Sequence, residues 1–251
     1  MKISIITTVY NGASTIEDTI LSVASQSYPD TEHIIIDGSS TDGTLSLIKK
    51  HEGKIEKFLS EPDNGIYDAM NKGISLASGD IVGILNSDDV YYDNFCLSVV
   101  ISEFQEKGVD SVFGDLVYVH QDNLQKVVRY YSSANFSPHK FAFGWMPAHP
   151  TFFVYRKFYE KYGKFKTNYI IAADYELLVR FLERHKITYS YIPKVLVRMR
   201  TGGISTKSLF NNWILNKEIV RACDENGIKT NIIKVLSKYP TKILQLIKKP
   251  K

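Results

Sequence analysis

The densest chemistry in this chain is a short polar run, Asn86-Ser87-Asp88-Asp89. It follows directly on the apolar stretch Ile81–Leu85, which reads as a buried strand. Two adjacent carboxylates at a strand end repel each other and are costly to desolvate. A divalent cation relieves that cost. Hard oxygen ligands suit Mg2+ or Mn2+, and such ions bridge a few carboxylates to substrate phosphates. The plainer alternative is a solvated turn in which one aspartate caps the next helix.

A second cluster is Asp37-Gly38-Ser39-Ser40-Thr41-Asp42-Gly43-Thr44. Gly38 lets backbone approach a ligand closely. A carboxylate at Asp37 can accept from an imide N–H or a ribose hydroxyl, whereas Asp42 reads as a helix cap. The third cluster runs from Ser60 to Gly73 and is crowded with Asp, Asn and Lys. Asp68 and Lys72 stand at i and i+4, so a surface ion pair is their plainer reading. A fourth polar stretch, Thr7-Thr8-Val9-Tyr10-Asn11, closes the first apolar run.

These clusters need elements to carry them. Ile3–Val9 reads as a strand, and Ser14-Thr15-Ile16-Glu17 as a capping box that opens a helix ended by Tyr28-Pro29. Strands follow at His33–Ile36 and Ile55–Ser60, with helices at about Thr44–Lys50 and Ile66–Ala77. Such alternation implies a parallel sheet with right-handed crossovers, and ligands bind beyond the carboxyl ends of its strands. The clusters should therefore share one edge. Beyond Asp89 the pattern is mixed. Helices are expected at Asn94–Gly108, Asp174–Arg184 and Ser208–Asn226. Short strands are expected at Ser111–Gly114, Leu116–Val119 and Val195–Met199, and an aromatic loop at Ser132–Met146.

With 251 residues, 44% of them hydrophobic, the chain fits one large α/β domain with an appendage. Cys96 and Cys223 make neither a disulfide framework nor a zinc cluster, which suits a reducing cytoplasm. The start does not read as a signal peptide, and no apolar run reaches the ~18 residues of a membrane span. The net charge is +4, yet seven lysines and no acids fall from Lys229 onward, leaving 4 − 7 = −3 on the rest. A mildly acidic body argues against nucleic-acid binding. In the tail, Ile232, Val235, Leu236, Tyr239, Ile243, Leu246 and Ile247 recur at helical spacing, with Pro240 as a kink. Either an interfacial helix on the anionic inner face of the cell membrane or a docked terminal helix fits that pattern.

Taken together, Thr-Thr-Val-Tyr-Asn-Gly at 7–12, Ile-Asp-Gly-Ser-Ser-Thr-Asp-Gly-Thr at 36–44, Ser-Glu-Pro-Asp-Asn-Gly-Ile-Tyr-Asp-Ala-Met-Asn-Lys-Gly at 60–73 and Asn-Ser-Asp-Asp at 86–89 resemble the family 2 glycosyltransferases of GT-A fold. The resemblance implies a Rossmann-like, mostly parallel sheet flanked by helices. The GT-A domain would span 1–205, with a nucleotide-sugar half to about 110 and an acceptor half from 111. Residues 206–251 would form a C-terminal helical appendage.

It also implies roles. Thr8, Tyr10 and Asp37 would hold the nucleoside, and Asp68 and Lys72 would line the donor pocket. Asn86, Ser87 and Asp88 fall on the donor-binding motif, and Asp88 and Asp89 would meet the Mn2+ or Mg2+ ion. Asp174, in Ala173-Asp174-Tyr175-Glu176, takes the place of the family's base. His149 would touch acceptor or phosphate, and Arg200–Ser205 resembles the loop that closes over the diphosphate. Three positions depart from the family pattern: Asn86 and Ala173 each replace an acidic residue, and Gly38 a second aspartate beside Asp37.

The implied reaction is inverting transfer of a hexose or N-acetylhexosamine from a UDP-sugar to a glycan, with a polyprenyl-diphosphate-linked sugar of bacterial surface polysaccharide (O-antigen, capsule or exopolysaccharide) as acceptor. A processive synthase would need membrane spans and Gln-x-x-Arg-Trp, which Asn211-Asn212-Trp213 does not supply. A dehydrogenase would need G-x-G-x-x-G after the first strand. The non-enzymatic alternative is a silent homologue serving as a membrane-associated scaffold.

Overall fold

The computed structural model describes residues 1–202 and 209–239. Its first half alternates β1 (Ile3–Val9), α1 (Ile16–Ala24), β2 (Thr31–Asp37), α2 (Thr44–Lys50), β3 (Lys57–Ser60), α3 (Ile66–Leu76) and β4 (Ile81–Ile84). Then come β5 (Val90–Tyr91), α4 (Cys96–Lys107), β6 (Ser111–His120), β7 (Asn123–Tyr131), β8 (Phe153–Tyr155) and α5 (Lys157–Tyr162). The series ends with α6 (Ala173–Val179), β9 (Tyr189–Arg200), α7 (Leu209–Glu225) and α8 (Ile232–Leu236). One sheet runs in the order β3-β2-β1-β4-β8-β6-β9-β5, with β7 paired to β6. It is parallel through β3, β2, β1 and β4 and mixed beyond them.

All seven residues of β1, Ile-Ser-Ile-Ile-Thr-Thr-Val, are buried, which is why the strand is built from β-branched apolar residues with only small hydroxyl side chains, Ser4, Thr7 and Thr8, among them. Ile6, Ile34, Ile36 and Val82 pack on one face of the sheet with Met70 and Ile74 of α3 and with α6 and α7. Ile3, Ile5 and Ile81 pack on the other with Leu97, Val100, Ile101 and Phe104 of α4. Each such side chain contributes about 1.5–3 kcal/mol on burial. Gly73 permits the first contact, because a Cβ there would lie 2.3 Å from Ile6 Cγ2.

Register puts the strand ends together. Val9 pairs with Asp37, Asp37 with Ser60, and Ile6 with Ile84. The polar clusters thus share the carboxyl edge, as strand–helix alternation dictates.

Several local expectations are corrected. The capping box at Ser14–Glu17 does not form: α1 starts at Ile16 and Thr15 makes no side-chain cap. The amides of Thr15 and Ile16 turn onto Gly12 O at 3.0 Å instead, and Glu17 pairs with Lys50 and His51. The two short strands expected after Ser111 are one strand, β6, with a register shift against β9 around Gly114. β7 had no expected counterpart. The helix expected over Asp174–Arg184 is α-helical to Val179 and widens to a π turn over Arg180–Arg184.

The C-terminal helices dock on the domain. Val235 is buried, Thr230 Oγ1 donates to Ala142 O, and Asn216 Nδ2 donates to Tyr239 OH at 2.9 Å. The expected kink at Pro240 and the apolar positions Ile243, Leu246 and Ile247 lie outside the described residues. No helix of the described residues is long and apolar enough to cross a membrane.

Candidate active site

A cleft of about 770 Å³ opens at the carboxyl edge. Thr8 and Tyr10 line it from the end of β1, and Asn86, Ser87 and Asp88 from the turn after β4. Another part of the wall carries His149, Asp174, Tyr118, Arg129 and Trp145. Residues about 60 and 90 positions beyond the acidic run therefore share one cavity with it.

The acidic run is a tight turn. Asp89 N donates to Asn86 O at 3.0 Å, and Thr19 Oγ1 donates to Asp89 O at 2.9 Å. Arg200 clamps it from β9: its Nη1 donates to Asp88 O at 2.7 Å and its backbone N to Asp89 Oδ1 at 3.2 Å. Its Nη2 reaches Asp18, and its Nε reaches Gln121 O at 3.1 Å. Arg200 was expected in a flexible loop over a diphosphate. It is buried instead, with its donors divided among the turn, Asp18 and Gln121 O; Arg200, Thr201 and Gly202 line the cleft, while Gly203, Ile204 and Ser205 lie outside the described residues.

Only part of the acidic pair faces the cleft. Asp88 lines it; Asp89 is fully buried behind and does not. Burial, and then the charge of Asp88, pushes the Asp89 carboxyl well above its ordinary range. Two other buried atoms on the wall, Thr8 Oγ1 and Asn86 Oδ1, have no hydrogen-bond partner. Buried polar atoms are almost always paired, so orphans at a cavity wall mark where a ligand would complete them.

Asp37 sits just behind this wall and is fully buried. Its Oδ2 accepts from Ser40 N at 3.0 Å and Ser60 Oγ at 2.7 Å, while Oδ1 has no partner. Tyr10 stands beside it, 68% exposed. A Cβ at Gly38 would meet Asp63 Oδ2 at 2.5 Å and the Tyr10 ring at 3.4 Å, so glycine keeps this corner open.

Asp68 and Lys72 do not reach the cleft wall. Asp68 accepts from Asn64 N at 3.0 Å. Lys72 donates to Pro62 O at 2.8 Å and pairs with Glu61 at 2.8 Å, and that bond to Glu61 holds its ammonium above the ordinary range. They staple the 60–65 loop to α3, and in their place the loop sends Asp63 and Gly65, and the first turn of α3 sends Tyr67, to the wall.

Asp174 stands in the first turn of α6. Its Oδ1 accepts from Tyr175 N at 2.8 Å, and its Oδ2 lies 3.1 Å from His149 Nδ1. The segment before it is clasped: Glu218 of α7 accepts from the amides of Ile170, Ile171 and Ala172 at 2.6, 2.9 and 2.9 Å. Tyr67 OH donates to Ile171 O from the other side.

Arg129 of β7 was missed in sequence because its strand was missed. It lies 4.0 Å over the Tyr118 ring, and its Nε is buried without a partner. Glu218 was missed because nothing local marks it.

Known proteins resemble this chain in sequence and in fold. A glycosyltransferase of Mycobacterium tuberculosis is 33% identical over 181 residues, 71% of this chain and 68% of that one. Staphylococcus aureus TarS 1–349, solved with UDP-GlcNAc, superposes with a TM-score of 0.68 at 16% identity over 91% of this chain and 68% of that one. The mannosyltransferase PcManGT of Pyrobaculum calidifontis, solved with GDP-Man and Mn2+, gives 0.63 at 18% identity over 97% and 80%. The glycosyl transferase family 2 model matches residues 4–163, the stretch that builds the carboxyl edge and most of the sheet, and the chain belongs to that family.

Proposed function

We propose that this chain moves a hexose or N-acetylhexosamine from a nucleotide-diphosphate sugar, by preference a UDP-sugar, to a glycan acceptor with inversion. The observation that carries the reading is the shared cleft: the nucleotide-side residues Thr8, Tyr10 and Asp88 and the carboxylate Asp174 line one cavity. The UDP-GlcNAc and GDP-Man found in solved structures of the same fold support a nucleotide-sugar donor.

Asp37 and Thr8 supply unpaired oxygens toward the nucleoside, and the exposed Tyr10 ring offers a face for the base. Asp68 and Lys72 serve the donor side by fixing the loop that lines it. The residues present fit a Mg2+ or Mn2+ ion. Asp88 lies in the cleft, and Asn86 Oδ1 beside it lacks a partner. Among the described residues no three His, Cys, Asp or Glu side chains converge as a cage. That suits ions which keep only one or two carboxylates and take the rest from phosphate. Asp88 would hold the ion and Asp89, behind it, would brace the turn; when bound, the ion neutralises charge on the departing diphosphate.

On the acceptor side, removal of the hydroxyl proton depends on Asp174. Displacement from the face opposite the leaving group inverts the anomeric centre, so an α-linked donor yields a β-linkage. Arg129 and Lys238 bring positive charge to the cleft wall. That suits an acceptor with its own diphosphate, as in polyprenyl-linked precursors of bacterial surface polysaccharide. Exposed Phe210, Trp213, Ile233 and Leu236 on α7 and α8, with the lysines of the tail, suit docking at an anionic membrane on its cytoplasmic side.

A thermal-shift panel of nucleotide sugars with and without Mn2+ tests the reading. A matched donor at 100 times Kd stabilises by about 2.7 kcal/mol, or roughly 5–10 °C at this size. No shift with any nucleotide would overturn it. Binding with neither donor hydrolysis nor transfer would favour the silent scaffold. Equal binding to anionic liposomes with and without residues 229–251 would remove the membrane role.

A further inference from the structure

We infer that the acceptor's hydroxyl proton passes to Nε2 of His149, and that Asp174 is the positioning residue that holds the imidazole for this task. The inference rests on the proposed transfer and fixes which atom receives the proton.

Both oxygens of Asp174 are already engaged, one with Tyr175 N at 2.8 Å and the other with His149 Nδ1 at 3.1 Å. A carboxylate accepts only, so this contact favours the neutral imidazole with its hydrogen on Nδ1 and its lone pair on Nε2. Among the described residues Nε2 has no hydrogen-bond partner, and His149 lines the cleft. A carboxylate behind an imidazole orients the ring and stabilises in place the imidazolium that forms. A base oriented by a third group is the arrangement that activates hydroxyls on several unrelated folds.

Both partners stand on fixed supports. His149 opens a turn whose third residue, Thr151, is fully buried and bonded to Gly114 N at 3.1 Å and Gly114 O at 3.0 Å. Pro150 stiffens the turn between them. Asp174 follows the segment held by Glu218 and Tyr67. The ionisable groups around the pair are Tyr67 of α3, Tyr118 of β6 and Arg129 of β7. Burial first, and the charge of Asp174 second, raise the Tyr67 phenol; burial chiefly raises Tyr118. Neither phenol competes as a base near neutral pH.

The step balances. The acceptor O–H proton moves to His149 Nε2 as the oxygen's electron pair bonds the anomeric carbon. The bond from that carbon to the diphosphate oxygen breaks, and its electron pair leaves with the nucleoside diphosphate. The imidazolium rests on Asp174 until water takes the proton.

The test uses the full chain with UDP-GlcNAc as donor and a short polyprenyl-diphosphate-linked sugar as acceptor. His149→Ala, His149→Gln and Asp174→Asn should each lower kcat by about 10²–10⁴-fold, with donor KM within about threefold. The double variant His149→Ala/Asp174→Asn should lose little more than the worse single one, as for residues that act as a unit. Added imidazole should restore part of the turnover of His149→Ala and none to Asp174→Ala. Unchanged melting temperatures with UDP show that a variant is folded, and His149→Gln keeps the volume of the ring if His149→Ala fails that control. His149→Ala and His149→Gln within about fivefold of wild type, with Asp174→Ala rescued by formate, would make Asp174 the direct base and overturn the inference. A wild-type chain that neither binds UDP-GlcNAc nor transfers sugar would instead bring down the functional reading, and the inference with it.

Discussion

The two halves of the cleft are built by different means. On the proposed nucleotide side, position follows from backbone register: Asp37 lies between Val9 and Ser60 because β2 lies between β1 and β3. On the proposed acceptor side, position follows from single side chains gripping distant backbone. Glu218 holds three amides 46 to 48 residues away. Arg180 donates to the carbonyls of Tyr162, Gly163 and Lys164, and Tyr175 to Phe141 O. Buried Asp115 gathers Ser133 N and the hydroxyls of Tyr130 and Tyr191. A ladder spreads its cost over many bonds. A clasp concentrates it, so the two halves should fail differently when one residue is changed.

The largest expected effect is at the acidic turn, where chemistry is at stake and the scaffold is not. Asp88→Asn should lower transfer by about 10³-fold, the several kcal/mol expected when charge stabilisation at a leaving group is lost. Its melting temperature should stay close to wild type, because the turn is held by backbone and by Arg200. Asp89→Ala should do the reverse at first, losing stability through the unlatched Arg200. If Asp88→Asn stays active, the nucleotide edge is misread.

Glu218→Ala sharpens the contrast. It strands three amide N–H groups, and each buried unsatisfied group costs about 1–3 kcal/mol. A loss of about 3 kcal/mol in unfolding free energy is expected, with kcat falling and donor KM nearly constant, since only the Asp174 side is loosened. Chemical denaturation and steady-state kinetics on one preparation check both parts. A change in UDP affinity as large as the change in kcat would show that the two halves are not separately held.

This difference also explains what could be read from sequence. Strands β1, β2 and β4 were legible because burial on both faces makes them mostly apolar, and parallel topology then fixes where their ends go. The polar clusters at 7–12, 36–44 and 86–89 came together as that topology dictates. β7 was not legible: its residues are mostly exposed, so no alternation marks it. Arg129 went with it. Nothing near Glu218 signals that its partners lie at 170–172, and nothing near Asp89 signals that β9 would bury it. His149 was legible only as a residue type; its partner 25 positions on is a tertiary fact.

A smaller effect is expected within the nucleotide edge. Asp37→Ala should weaken UDP binding by about 10–30-fold, the 1.4–2 kcal/mol of one hydrogen bond to a charged group. It should leave kcat at saturating donor within a few fold, because Asp37 lies behind the cleft wall and touches neither Asp174 nor His149. Calorimetry with UDP measures the first part. Loss of kcat without loss of affinity would move Asp37 out of the nucleoside site.

The smallest effect lies in the parallel half itself, where register has enclosed a titratable group. His33 on β2 is buried and bonded to Thr7 Oγ1 through Nε2 at 3.0 Å, with Nδ1 unpaired. Burial lowers its pKa from 6.5 to about 3. Above pH 6.5 neither folded nor unfolded chain binds a proton there, so nothing changes. Between pH 6.5 and about 3 the unfolded chain binds one and the folded chain does not. Stability should therefore fall as the pH drops, by up to about 1.4 kcal/mol per unit. Glu32, its neighbour, adds the same sign at lower pH: burial alone raises its carboxyl, but Lys57, Ser4 and Ser78 outweigh that and hold it to about 2. Between pH 7.5 and 5.5 only the histidine matters of these two. Wild type should lose about 3–5 °C of melting temperature over that range relative to His33→Gln, which carries no titrating group at that site. Parallel curves for the two proteins would mean that the ladder admits water or a proton at His33, and that backbone register does not seal this half as tightly as side-chain clasps hold the other.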